Sequence, residues 1–173
     1  ACTAEPFTFV GGTLKYSGEQ SARLERNFVI ATGSDGGRVV LSASKPLTLA
    51  GSFNSTGGAL VKVGDDALTL DMARGVHKIG SADSNVGDSF VTEIKNNGTS
   101  PSSNGYAGLQ ILEGKMVLKG AGKDDTVVNQ TQTTCIGNSW RDQSAGAELE
   151  IEDVTFNQGG PMRQLHAGAG VYS

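Results

Sequence analysis

Short runs of β-branched, aromatic and aliphatic residues recur along the whole chain, and Gly, Asn, Asp or Pro closes each of them within a few positions. The runs cover 7–10, 28–32, 38–43, 46–49, 59–63, 67–72, 75–79, 89–95, 108–112, 115–119, 126–128 and 148–156, with a tail ending in Val171-Tyr172. Turn signals about every ten residues leave no room for long helices and predict an all-β protein of many short strands. The 25 glycines among 173 residues, about twice ordinary usage, suit such frequent turns. Segment 20–27 is the best helical candidate, yet it lacks a repeated apolar stripe and reads as one or two turns at most.

Two segments sharpen the expectation. Leu60-Val61-Lys62-Val63 and Ala67-Leu68-Thr69-Leu70 flank Gly64-Asp65-Asp66, which predicts a hairpin. In 148–156, Leu149 and Ile151 share one face opposite Glu148, Glu150 and Glu152; the alternation then slips by one at Val154 and Phe156, predicting a β-bulge near Glu152-Asp153. A similar spacing links 60–70 to 109–118, so both segments are expected to be hairpins of one kind. The expected fold is a single all-β domain over 1–173, an antiparallel β-sandwich of jelly-roll type, with a β-helix or solenoid as the alternative.

The segment Gly57-Gly58-Ala59-Leu60-Val61-Lys62-Val63-Gly64-Asp65-Asp66-Ala67-Leu68-Thr69-Leu70 resembles the repeat of bacterial autotransporter passenger domains. Phe53-Asn54 before Gly57-Gly58-Ala59 is similar to the repeats of polymorphic outer-membrane proteins. Either likeness implies a parallel β-helix. Val86-Gly87-Asp88-Ser89, followed by Ile94-Lys95-Asn96-Asn97-Gly98-Thr99, instead resembles the strand-entry motif of extracellular β-sandwich fibre subunits.

The two cysteines, Cys2 and Cys135, fit neither a zinc-ligand pair nor a CxxC redox pair, and the simplest reading is a disulfide pinning the first strand near Phe7-Thr8-Phe9. Such a bridge implies an oxidising compartment. The chain begins with Ala and carries no apolar leader, as a mature exported protein would, so secretion or a place on a cell or particle surface is expected. No run approaches the roughly twenty apolar residues of a membrane helix. Fourteen basic against eighteen acidic residues, with no Lys/Arg run, argue against a nucleic-acid partner.

The sequence offers little for catalysis. A nucleophile needs a base, and His77 reads as a strand-surface residue while His166 sits in a Gly-rich tail. The paired carboxylates that glycoside hydrolysis requires could come from Glu148, Glu150 and Glu152, but a solvated strand face explains them equally. No catalytic residue and no cofactor are assigned. Calcium is the one candidate ion, at Asp83, Asn85 and Asp88, whose oxygens are spaced as in calcium loops. Trp140 and Tyr106 form the nearest thing to a sugar platform. Asn54, Asn97 and Asn129 stand in N-glycosylation sequons.

These features point to a non-enzymatic, exported structural protein: a fibre, appendage, coat or adhesin subunit that pairs its strand edges with copies of itself or related subunits. The alternative is a polysaccharide-binding module using Trp140 and Tyr106.

Overall fold

The computed structural model describes residues 5–31, 38–80, 108–130, 134–137, 146–160, 162–164 and 170–172. Within them the chain forms strands and turns, with no helix. The first circuit comprises β1 (Phe7–Phe9), β2 (Gly12–Tyr16) and β3 (Ala22–Glu25), and the second β4 (Phe28–Ile30), β5 (Arg38–Ala43) and β6 (Leu47–Gly51). The third is β7 (Phe53–Ser55), β8 (Ala59–Val63) and β9 (Leu68–Met72); the fourth is β10 (Gly75–His77), β11 (Leu109–Ile111) and β12 (Gly114–Lys119). The fifth is β13 (Thr126–Gln130), β14 (Thr134–Ile136) and β15 (Ala147–Glu152), and the sixth β16 (Thr155–Gln158), β17 (Met162–Gln164) and β18 (Gly170–Tyr172).

Every ladder among these strands is parallel, and each joins a strand to the one three places further on. Two sheets have six strands, in the orders β2-β5-β8-β11-β14-β17 and β3-β6-β9-β12-β15-β18. The first position of each circuit is split into β1-β4-β7 and β10-β13-β16. The expected antiparallel β-sandwich is therefore overturned. Parallel neighbours need a long crossover, and here two further strands supply it in place of a helix.

The local signals mislead for an identifiable reason. The Gly64-Asp65-Asp66 turn does separate two strands, but β8 and β9 belong to different sheets, so it is a corner and not a hairpin. The slip in 148–156 is also a corner: β15 ends at Glu152, Asp153 takes φ 53°, and β16 starts in another sheet at Thr155. Segment 20–27 holds β3 and not a helical turn.

Alternation then fills the core. Leu47, Leu68, Met116 and Leu149 stand in one register column and Leu49, Leu70 and Leu118 in another, all buried. Val39, Leu60 and Leu109 do the same on the second long sheet. Each such side chain contributes roughly 1.5–3 kcal/mol on burial. Phe7, Phe28 and Phe53 align on successive circuits, and the Phe28 and Phe53 rings stack at 4.9 Å. Val40, Val61 and Leu112 form a second buried cluster on the opposite face of the β5-β8-β11 region.

Gly114 opens β12 with φ +64°, and a Cβ there would strike the Gly64 carbonyl oxygen of the circuit below. Successive corners are thus stacked backbone on backbone, and this position demands glycine.

Candidate functional site

The first circuit is an open end. Among the described residues β1, β2 and β3 are hydrogen-bonded on one side only, to β4, β5 and β6. Phe28 inside the aromatic column is buried, whereas Phe7 at its end is 41% exposed and the adjoining Val10 59%. Leu14, Tyr16, Ala22 and Leu24 pack against the core but are only partly covered. The sixth circuit ends the stack in the same way, with β16, β17 and β18 as the last strands and Met162 exposed. Such edges present unpaired N–H and C=O groups to any strand that approaches.

The outer face of the β3-to-β18 sheet is charged and ion-paired. Arg23 reaches Glu25 at 2.9 Å and, across β6, Asp71 at 2.7 Å, which raises its pKa. Lys115 lies between Glu148, at 2.8 Å, and Glu150; hydrogen bonds to these two carboxylates push it up to about 12. Lys119 pairs with Glu152 at 3.1 Å, and that hydrogen bond raises its pKa. The alternation of Glu148, Glu150 and Glu152 thus lies on a half-exposed face, with each carboxylate matched by a cation of the neighbouring strand.

Two interior polar centres escaped the sequence reading. Lys62 faces inward between Leu41 and Ile111, fully buried, and its ammonium donates to the carbonyls of Val63 (2.9 Å), Gly64 (2.5 Å) and Glu113 (3.1 Å). Burial pulls its pKa down to about 8 against the opposing pull of Glu113, Asp65 and Asp66. The Glu113 carboxylate accepts the Gly64 N–H at 2.9 Å, which ties the corner of one circuit to the next. The available signal was parity: Lys62 stands two residues from Leu60, on the apolar side of its strand. His77 is the second centre. It is buried and not the strand-surface residue expected, with Nδ1 3.1 Å from the Phe53 nitrogen and Nε2 2.7 Å from the Ala73 carbonyl. Both ring nitrogens are engaged by backbone, so the imidazole holds strands together and has no face open to a substrate.

Cys135 is buried in β14, on the fifth circuit, and Cys2 lies outside the described residues. No disulfide occurs among the described residues. The calcium candidates Asp83, Asn85 and Asp88, the aromatic pair Trp140 and Tyr106, the sequon at Asn97 and His166 all lie outside the described residues. Asn54 is exposed on β7. Asn129 is half-buried in β13, where its carboxamide oxygen accepts a hydrogen bond from Asn157 at 3.0 Å. The described residues hold no cluster of three or more metal-ligating side chains, and none of their helices could cross a membrane, since they form none.

Compared with known proteins, the chain matches no family model, no curated protein and no solved structure.

Proposed function

We propose that the chain is an exported structural element that assembles by strand addition between copies of itself, the sixth circuit of one copy against the first circuit of the next. The carrying observation is the exposed end of the aromatic column, Phe7 with Val10, beside three strand edges that are open among the described residues. The first and last circuits present three parallel strands each, in the same sheet order, so one edge is a template for the other. Because the two faces differ, the contact is heterologous, and since strand addition continues each parallel sheet in its own direction, it propagates into a fibre. The ion-paired outer face of β3 to β18 supports this reading, since it keeps the sides of the stack soluble while the ends associate.

Light scattering and electron microscopy of the purified chain test the proposal. Growth with concentration is expected, and the double variant Phe7→Lys, Val10→Lys is expected to remain monomeric with an unchanged far-ultraviolet sheet spectrum. A wild-type chain that stays monomeric at every concentration, or a folded double variant that assembles equally well, refutes it.

A further inference from the structure

One inward column runs through the first strand of all six circuits. Phe7, Phe28 and Phe53 occupy it in the first three. Between β7 and β10 the Lys78 N–H donates to the Phe53 carbonyl at 3.0 Å and the Ser55 N–H to the Lys78 carbonyl at 2.9 Å. Parallel strands make this pattern around a single opposed pair, here Asn54 and Lys78. His77 therefore stands beside Phe53, and Val128 and Phe156 follow it in register. The column begins with a phenylalanine that is 41% exposed and ends with one that is half-buried. Thr8 and Asn157, the residues that follow these two rings on the outward side, are both exposed.

The β2-to-β17 sheet repeats the relation with unequal side chains. Its inward column runs Gly12, Val39, Leu60, Leu109, Thr134 and Met162. Met162 ends the column 41% exposed, whereas Gly12 opens it without a side chain, and a Cβ built there would meet nothing within 4 Å. A knob stands at one end where the other end has a gap. In the third sheet Ala22 opens a column that closes with Leu149 and Val171. Advancing a second copy by one circuit places its Phe7 beside Phe156, its Gly12 beside Met162 and its Ala22 beside Val171, all at once. A slip of one residue would turn every inward side chain outward. A slip of two would carry corners off corners, against the stacking of Gly114 on the Gly64 carbonyl.

We propose that copies of the chain join in this one register, with Phe7 of one copy stacked on Phe156 of another and Met162 of the latter seated over Gly12 of the former. The inference rests on the end-to-end assembly proposed above and adds which residues meet. Burial of Phe7 and Met162 drives the contact, and the two facing rings and the knob and gap fix its register.

Disulfide trapping reads the register. Opposed residues of parallel strands lie about 4.8 Å apart, within reach of a disulfide, whereas a residue two places along the partner strand is about 8 Å away and out of reach. Thr8→Cys and Asn157→Cys are made in separate full-length chains that also carry Cys2→Ser, mixed before assembly and oxidised. A disulfide-linked dimer is expected from the mixture and from neither variant alone, and Val10→Cys mixed with Asn157→Cys is expected to give none. Met162→Lys should raise the concentration needed for growth about tenfold or more at an unchanged melting temperature. Assembly in which Asn157→Cys traps Val10→Cys in place of Thr8→Cys overturns the register and leaves strand addition standing, as does growth indifferent to Met162→Lys. Absence of both assembly and cross-links overturns the two proposals together. So does Thr8→Cys linking to itself, for then like ends meet.

Discussion

The imidazole of His77 takes the place of a backbone carbonyl for Phe53: its Nδ1 lies 3.1 Å from the Phe53 nitrogen at the seam between β7 and β10. The sheets on either side of this seam are ordinary parallel ladders, but β7 and β10 are not paired in register. Two backbone bonds cross between the segments, Lys78 N–H to the Phe53 carbonyl at 3.0 Å and Ser55 N–H to the Lys78 carbonyl at 2.9 Å. They leave the Phe53 N–H to the side chain. An amide N–H can only donate, so Nδ1 is the unprotonated nitrogen and Nε2 carries the hydrogen given to the Ala73 carbonyl at 2.7 Å.

Replacing His77 with Ala should therefore destabilise the protein by about 2–4 kcal/mol, since it leaves a buried N–H without an acceptor and opens a cavity beside it. Denaturant unfolding measures the loss. Two-dimensional proton–nitrogen spectra of the imidazole provide an independent check, with the hydrogen expected on Nε2 at neutral pH; a ring protonated at Nδ1 alone would contradict the assignment.

Lys62 gives the fold a pH dependence of calculable sign. In the native chain its pKa is lowered to about 8, chiefly by burial, from 10.5 for the free side chain. Below pH 8 both states carry the proton and the contribution is flat. Between about 8 and 10.5 the unfolded chain binds more protons than the native one, so stability rises with pH, by a total of about 3 kcal/mol. Unfolding free energies measured across this range should show the rise in the wild type relative to Lys62→Met, in which this titration is gone. Parallel curves for the two proteins would mean that the ammonium is not desolvated.

Strand positions were legible because they rest on alternation and turn residues. The 38–43 and 59–63 runs became β5 and β8 at those very bounds, and the wet face of Glu148, Glu150 and Glu152 was likewise apparent from period two. Strand direction was not legible. A Gly-Asp-Asp corner between two sheets and a Gly-Asp-Asp hairpin within one have the same local chemistry; what differs is whether the partner of Leu60 is a neighbour in sequence or Val39 of the preceding circuit. The interior polar groups were hidden for a related reason. Lys62 and His77 look like surface residues until the circuits are stacked, because the backbone groups around them come largely from chain turns distant in sequence or from the corners themselves.

The stacked corners predict a sharp response at one glycine. At Gly114 a side chain meets two penalties together, the left-handed φ of +64° and collision with the Gly64 and Asp65 carbonyls beneath. Gly114→Ala should cost about 3 kcal/mol or more, well beyond the roughly 1 kcal/mol that φ alone imposes on Ala. A control at Gly12 separates the two, for its positive φ of 92° is nearer that of Gly114 and it has open space where the Cβ would stand. If thermal unfolding shows equal losses for the two alanine variants, the backbone contact between corners has no energetic weight.

The charged face should behave in the opposite manner, with much visible pairing and little energy. Lys115 and its partners Glu148 and Glu150 are each about a third exposed, so water screens their attraction and the ordering of three long side chains offsets part of it. Lys115→Ala is expected to cost less than about 1 kcal/mol in low salt, and the difference from wild type should shrink toward zero in molar salt as screening shortens to about 3 Å. The same substitution leaves Glu148 and Glu150 repelling one another on a single strand, so neutralising Glu150 as Gln in the Lys115→Ala background should recover part of the loss at low salt. Chemical denaturation with urea, which does not itself screen charge, reads both effects. A salt-independent loss of several kcal/mol would show that Lys115 acts through packing against the sheet and not through its charge.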